Sequence, residues 1–289
     1  MLHKYLLISI AIIILTSSCS NEFDGKDGVK TVYFPNSKIV QQIVEYKDGK
    51  RIGELKEFYR NGKLKVRQYY KNDTLNDSAF FYHENGKLKY FQYMKDFKKN
   101  GTWKKYNEDG KVYEEINFKD DYLNGYSTTY TYRSGKVLKK LHYEDGMKEG
   151  KQEFFHNNGK PKAITYFYHN KPTIGTEEWD ERGEKIDHSF QIYVKEKNRL
   201  LLENKLEFIV KLEKPHADDE VYCLISDNSD KILKATTQLE KRNDEFILEY
   251  NIGIGGFVME DLIIGAYRKT SMGNTFIQTK TITISANNY

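Results

Sequence analysis

The stretch Phe58-Tyr59-Arg60-Asn61-Gly62-Lys63-Leu64-Lys65 decides the fold, because the chain repeats it with small changes. A close copy reads Tyr82-His83-Glu84-Asn85-Gly86-Lys87-Leu88-Lys89, and weaker copies follow. The turn glycines are 24 residues apart, with one interval of 25, and stand at Gly62, Gly86, Gly110, Gly135, Gly159 and Gly183. A fixed period of this length indicates an array built from one structural unit.

Each unit is predicted to be a β-hairpin. Asn-Gly or Asp-Gly between runs rich in Tyr, Phe, Thr and Val is a strong hairpin signal, and it predicts a type I′ turn, which needs positive φ at both central positions. In the first full copy the predicted strands are residues 53–59 and 63–70, and residues 71–73 turn the chain toward the next copy. A second glycine opens most copies, at Gly53, Gly101, Gly125, Gly150 and Gly175, whereas the second copy has Asp77-Ser78.

Aromatic residues recur at fixed places in the unit. Four residues before the turn glycine stand Phe58, Tyr82, Tyr106, Phe155 and Trp179, while Tyr130 flanks this place in the copy with the inserted residue. Equivalent side chains of successive hairpins are expected to stack into ladders, and cross-strand aromatic pairs contribute about 0.2 to 1 kcal/mol each. Most of these rings are expected to form the core of the repeats. Those that stay exposed could receive sugar rings or a partner protein, so the candidate binding residues are Tyr82, Tyr106, Tyr130 and Trp179.

The amino terminus has the pattern of a secretory signal. Residues 1–18 begin with a basic segment, continue with an apolar run and end in Thr16-Ser17-Ser18 before Cys19. The apolar run is shorter than the roughly 20 residues that a transmembrane helix needs. The segment resembles the signal of bacterial lipoproteins, which implies a lipidated Cys19, although Thr16 stands where that family usually has Leu. The alternative is an ordinary signal peptide with an incidental cysteine.

The residues after the cysteine suggest where the protein is sent. Residues 20–24, Ser-Asn-Glu-Phe-Asp, partly resemble the export signal that sends lipoproteins of one Gram-negative group to the cell exterior. The expected location is therefore the outer membrane or the cell surface, and residues 19–29 are expected to be a lipidated tether.

The repeat pattern of residues 30–186 resembles the MORN repeat variant family. The shared unit has the form Gly-x-x-x-x-[Tyr/Phe]-x-x-x-Gly-Lys-Leu-Lys. This resemblance implies an array of β-hairpins, and members often carry the label YwqK-like antitoxin or membrane-binding protein. An antitoxin neutralises a cytoplasmic toxin, so the export signal argues against that activity here.

Residues 187–289 have a different pattern. Seven short strand-like segments separated by turns predict an antiparallel, immunoglobulin-like β-sandwich, without the usual Cys, Trp and Cys marks. The complete chain is thus expected to be all-β. Cys223 lies among apolar residues and is expected to be a buried strand residue.

Charge and motifs argue against several functions. The net charge of +4 results from 46 basic and 42 acidic residues, which is no concentrated basic footprint, so nucleic acid is not an expected partner. Glu153 with His156 and Glu213 with His216 have Glu-x-x-His spacing, but on strands such pairs point to opposite faces. Asp218-Asp219-Glu220 is expected to be a solvated turn rather than a calcium site. No catalytic residue, metal site or cofactor is therefore expected.

The sequence predicts a membrane-anchored, non-catalytic binding scaffold of the cell envelope, whose partner is an unknown protein or glycan. Three alternatives stay open at this point. One is a glycan-active enzyme with its site in residues 187–289, the second is an antitoxin-like partner protein, and the third is an array that only spaces the terminal domain from the membrane. Lysines just after the turns, such as Lys63 and Lys87, could meet an anionic surface, but a solvated face is favoured.

Overall fold

The computed structural model describes residues 27–226 and 233–289. The predicted signal peptide and Cys19 lie outside these residues. Within the described ranges, no helix is long and apolar enough to cross a membrane. The described chain is nearly all β, as predicted.

The repeats form one antiparallel sheet in which neighbouring strands follow chain order. Its sixteen strands are β1 Gly28–Tyr33, β2 Val40–Lys47, β3 Lys50–Phe58, β4 Leu64–Lys71, β5 Thr74–Tyr82, β6 Leu88–Lys95, β7 Lys98–Tyr106, β8 Val112–Lys119, β9 Tyr122–Tyr130, β10 Val137–Glu144, β11 Met147–Lys148, β12 Gly150–Phe155, β13 Pro161–Tyr168, β14 Lys171–Pro172, β15 Glu177–Trp179 and β16 Lys185–Ile186. The period of 24 thus corresponds to two strands and two turns.

The turns at the repeated glycines differ from the prediction. In the first full copy, Tyr59 N donates to Lys63 O and Gly62 N donates to Tyr59 O, so the hairpin loop has three residues. Gly62 has a φ of +78°, whereas Asn61 does not have a positive φ. The geometry is that of a β-turn followed by one left-handed glycine. The type I′ prediction was therefore wrong for these turns.

Turns of the type I′ kind lie at the opposite edge of the sheet. Asn72 and Asp73, between β4 and β5, have φ values of +50° and +63°. Asp120 and Asp121, between β8 and β9, have +49° and +74°. Short polar side chains tolerate this left-handed region better than most residues, which explains the Asp and Asn content of these connections.

The two faces of the sheet differ in burial. Leu55, Val66 and Ala79 lie on one face, which we call the buried face, with at most 7% of each residue exposed. On this face, cross-strand ring contacts link Phe81, Tyr90, Trp103 and Phe118, with centroid distances of 5.3, 5.8 and 4.7 Å. The opposite, open face carries ion pairs and half-buried aromatic side chains. Aromatic ladders were predicted, but these four rings stand at places other than the recurring aromatic positions four residues before the turn glycines.

The carboxy-terminal domain is a sandwich of two four-stranded antiparallel sheets with the orders β17-β18-β22-β21 and β20-β19-β23-β24. These match the A-B-E-D and C′-C-F-G arrangements of immunoglobulin-like domains. The elements are β17 Ile192–Arg199, α1 Leu200–Glu203, β18 Lys205–Leu212, β19 Glu220–Ser226, β20 Leu233–Gln238, β21 Glu240–Arg242, β22 Glu245–Asn251, β23 Phe257–Lys269 and β24 Thr275–Asn287. Its core contains the fully buried side chains of Leu206, Val210, Val221, Ile264 and Ile284.

Candidate functional site

A lysine follows five of the six turn glycines, and each of these lysines binds the next repeat. Lys63 Nζ donates to Asn85 O and Lys87 Nζ to Asp109 O, both across 3.1 Å. The same bond recurs from Lys111 to Arg133 O, from Lys136 to Asn158 O and from Lys160 to Arg182 O. The Lys87 stem also passes beneath the following turn, where a Cβ added to Gly110 would lie 3.6 Å from Lys87 Cδ. The row of lysines therefore holds successive turns together.

A second row of bonds runs along the same edge. His83 Nε2 lies 2.9 Å from Tyr106 O, and His156 Nε2 lies 2.8 Å from Trp179 O, in equivalent places of two repeats. Tyr59 occupies this place in the first full copy and donates its hydroxyl to Tyr82 O at 2.7 Å. These histidines fill a polar position at the strand end and connect successive repeats, which is a structural role.

The four candidate binding residues lie on the open face, at the ends of strands that border the glycine turns. Strand pairing and side-chain alternation place Tyr82, Tyr106, Tyr130 and Trp179 on this face. All four are half-buried, and Tyr130 Oη donates to Glu115 Oε2 at 3.4 Å. The structure therefore places them in one row, where only part of each ring is accessible.

Cys223 is buried in the sandwich core with 8% of the residue exposed. Burial raises the pKa of its thiol, so the reactive thiolate is disfavoured. The residue is structural, as the apolar sequence around it had indicated.

A buried carboxylate joins the last repeat to the sandwich. Glu178 of β15 is 0% exposed and lies on the buried face. Its Oε1 accepts hydrogen bonds from Thr270 Oγ1 at 2.7 Å and from Asn274 Nδ2 at 2.6 Å, both in the β23–β24 turn. Its Oε2 lies 2.8 Å from His188 Nε2. Thr176 Oγ1 adds a bond of 2.7 Å to Thr275 O.

Next to this junction the two domains border a half-open cleft of about 620 Å³. One wall is the hairpin β13–β14 of the repeat sheet, and the other is the outer face of β19, β23 and β24. The lining residues are Tyr168, His169, Lys171, Pro172 and Thr173 on the first wall, and Asp218, Glu220, Tyr222, Tyr267, Arg268, Lys269 and Thr275 on the second. A volume of this size is typical of small-ligand sites, which often lie between domains.

Aromatic rings stand on both walls of the cleft. The rings of Tyr222 and Tyr267 pack edge to face with centroids 5.0 Å apart, and Tyr168 packs against His169 at 4.1 Å. Tyr222 Oη donates to Glu220 Oε2 at 2.9 Å. Burial, together with the adjacent Glu220 carboxylate, raises the pKa of Tyr222 to about 12, so its hydroxyl is protonated at neutral pH.

An ion pair supports the sandwich wall. Arg268 donates to both carboxylate oxygens of Asp219, at 2.8 and 2.7 Å, and its guanidinium lies 3.9 Å from the centre of the Phe190 ring. Oδ2 of Asp219 also accepts the backbone N–H of His216. Asp218 and His216 lie close by, with ligand-type atoms of all three residues within 4.8 Å of one another. The bonds to Arg268 and to the His216 amide account for the position of Asp219 within this group.

Five segments of the chain match the MORN repeat variant, at residues 26–48, 51–72, 78–96, 99–120 and 148–170. The chain contains MORN repeat variants. Between the fourth and fifth matches, β9 and β10 form a further hairpin of the same sheet, although its sequence carries the inserted residue. No curated protein matched the chain.

The sequence pattern did not indicate the cleft or Glu178. The walls of the cleft come from residues 168–173 and 218–275, which are far apart in the chain. Glu178 stands beside the predicted candidate Trp179, but burial of its carboxylate depends on a turn more than 90 residues later.

Proposed function

We propose that the protein is a lipid-anchored lipoprotein of the bacterial cell envelope that acts as a non-catalytic binding scaffold and holds a glycan in the cleft between its repeat array and its sandwich domain. MORN repeats indicate a repeat-based binding or interaction protein. The junction cleft, with tyrosine rings on both walls, is the observation that supports the ligand-binding part of the proposal.

The shape and chemistry of the cleft favour a saccharide. A pyranose ring has apolar C–H faces and hydroxyl groups around its edge. Tyr168 on one wall and the Tyr222–Tyr267 pair on the other offer apolar ring surface for such faces, while their hydroxyls can exchange hydrogen bonds. A site of this kind is apolar in area but holds a few polar groups that fix orientation.

The charges around the cleft favour a neutral ligand. Asp218 and Glu220 contribute two carboxylates, and Lys171 and Lys269 contribute two ammonium groups, while Arg268 is neutralised by Asp219. An anion would meet the carboxylates and a cation would meet the lysines. The hydroxyl groups of a saccharide can donate hydrogen bonds to the carboxylates and accept hydrogen bonds from the lysines.

The anchor is supported by the sequence that precedes the array. Residues 20–27 separate Cys19 from the start of β1 at Gly28. Fully extended, eight residues span at most about 29 Å, so a lipidated Cys19 would keep the first repeats near the membrane. In the producing bacterium, Cys19→Ala should abolish labelling by a fatty-acid probe and release the protein from the membrane fraction. Unchanged labelling and fractionation would contradict the anchor.

Glycan binding is tested with an array of neutral oligosaccharides, followed by calorimetric titration with those that bind. Tyr222→Ala and Tyr267→Ala should each weaken binding several-fold, because each removes aromatic ring surface that would be buried against the saccharide. Tyr193→Ala is the matched control, because Tyr193 is an exposed tyrosine of the same domain outside the cleft. Binding that survives both cleft variants would contradict the site.

The same oligosaccharides distinguish binding from catalysis. A scaffold should leave every bound oligosaccharide intact during long incubation, as measured by mass spectrometry. Hydrolysis by the wild-type chain that disappears in Glu220→Gln would overturn the non-catalytic proposal and establish the glycan-active alternative.

A further inference from the structure

The end of the sandwich opposite the repeat array carries a group of exposed apolar side chains, which we call the apolar tip. They stand on α1, on the β22–β23 loop, at the start of β23 and at the carboxy terminus, and their exposed fractions are Leu201 93%, Leu202 90%, Ile254 81%, Phe257 62%, Met259 70% and Tyr289 94%. Large exposed apolar groups of this kind mark interaction surfaces.

Hydrogen bonds bring these segments together. Asn288 Nδ2 donates to Asn204 Oδ1 at 2.9 Å and to Ile252 O at 2.6 Å, and Ile252 N donates to Asn204 O at 2.8 Å. Gly255 N donates to Asn288 O, and Asn288 N donates to Gly256 O. Asn288 is itself buried. The loops therefore provide hydrogen-bond partners for many of one another's backbone N–H and C=O groups, while their apolar side chains are exposed.

The tip lies far from the cleft. The β23–β24 turn contacts Glu178, and the tip is at the other end of the same two strands, each of which has 13 residues. At about 3.3 Å per residue, roughly 40 Å separates the two ends. A ligand in the cleft and a contact at the tip can therefore be present together.

We infer that the apolar tip inserts into the surface of a lipid bilayer. Leu201, Leu202 and Tyr289 are each at least 90% exposed and stand on two separate segments. Separate side chains that project from a surface can each insert between lipid acyl chains, which adapt to their shape. Because the loop backbone is bonded within the tip, insertion does not leave many peptide groups unsatisfied, which is the main cost of placing loops in lipid.

The charges near the tip favour a neutral bilayer surface. Arg199 pairs with Glu203 at 2.9 Å, and Lys205 pairs with Glu249 at 3.2 Å. Basic residues that attract anionic headgroups would need to be free of such acidic partners. Binding should therefore depend on apolar burial and change little with salt.

The test uses the complete mature chain with Cys19→Ala, so that a lipid anchor cannot contribute, and phosphatidylcholine vesicles in a sedimentation assay. The parent should bind at low and at high salt. Phe257→Ser and the double variant Leu201→Ser/Leu202→Ser should each reduce the partition coefficient about tenfold or more, because each removes exposed apolar surface that would be buried in lipid.

Phe97→Ser is the matched control, since Phe97 is 68% exposed but lies in a turn of the repeat array. It should bind vesicles like the parent, and thermal melting should show that all variants fold. The inference would be overturned if the parent did not bind vesicles, or if Phe97→Ser reduced vesicle binding as much as the tip variants do. Vesicle binding that is unchanged in both tip variants would also overturn it. So would a parent dimer, detected by light scattering, that becomes monomeric in the tip variants, because the tip would then cover a second copy.

This inference is independent of the anchor and of the glycan. Loss of labelling in Cys19→Ala reports on the anchor, oligosaccharide titration reports on the cleft, and vesicle binding by the unlipidated chain reports on the tip.

Discussion

The buried carboxylate of Glu178, in the last repeat, accepts a hydrogen bond of 2.6 Å from the side-chain amide of Asn274, in the β23–β24 turn of the sandwich. Thr270 and His188 complete the bonds to this carboxylate. This fully buried acidic side chain thus joins the repeat array to the sandwich, beside the bond from Thr176 to Thr275.

Glu178→Ala should destabilise the junction by about 3 kcal/mol, because it leaves the buried partners of the carboxylate without an acceptor. Chemical denaturation monitored by tryptophan fluorescence measures this change. Glu177→Ala is the control, since Glu177 is more exposed and pairs with Lys185 at the surface, and it should cost less than about 1 kcal/mol. Equal costs for the two variants would contradict the role of Glu178.

Acid should weaken the sandwich through Asp219. Burial alone would raise the pKa of Asp219, but hydrogen bonds from Arg268 and His216 and the Arg268 charge outweigh it, so its pKa lies below the ordinary value. A depressed folded-state pKa gives stability that is complete above the unfolded pKa, about 3.9, and is lost as pH falls through the folded value.

In Asp219→Asn, the melting temperature should be lower at neutral pH and should fall less steeply than that of the parent below about pH 4. Melting curves of both proteins across this range give the comparison. Parallel curves would show that Asp219 contributes nothing to the acid sensitivity.

The geometry of the glycine turns can be tested at adjacent positions. Gly110 has a φ of +86°, so Gly110→Val should destabilise the array by more than about 1 kcal/mol. Asp109 does not share the positive φ, so Asp109→Ala should have a much smaller effect. A type I′ turn would make both positions sensitive, and denaturation of the two variants distinguishes the two turn geometries.

The lysine row should contribute to stability through its bonds between repeats. Lys87→Met keeps an apolar stem beneath Gly110 but removes the bond to Asp109 O, so it should cost about 0.5 to 1.5 kcal/mol. Lys89→Met, at an exposed position two residues later, is the matched control and should lie within about 0.5 kcal/mol of the parent. A cost at Lys89 as large as that at Lys87 would argue against the bond between turns.

The repeat glycines and alternating aromatic residues determined that the chain forms successive hairpins, because these signals act between neighbours in sequence. The strands of the sandwich were predictable for the same reason, since apolar and polar residues alternate along much of Lys205–Leu212 and Thr275–Asn287, which is a strand pattern. The burial of both faces of Lys205–Leu212 comes from its packing in the sandwich. Local patterns could not give the turn type at Gly110, because Asn-Gly and Asp-Gly fit both a type I′ turn and a three-residue loop.

The tertiary structure alone decided what the side chains contact. The place of Lys87 beneath the next turn follows from the stacking of repeats, and the burial of Glu178 follows from the packing of a turn that is distant in sequence. The cleft and the apolar tip likewise combine segments from separate parts of the chain. Sequence periodicity fixes neighbours one repeat apart, whereas contacts between domains depend on how completed sheets pack, and no local pattern encodes that packing.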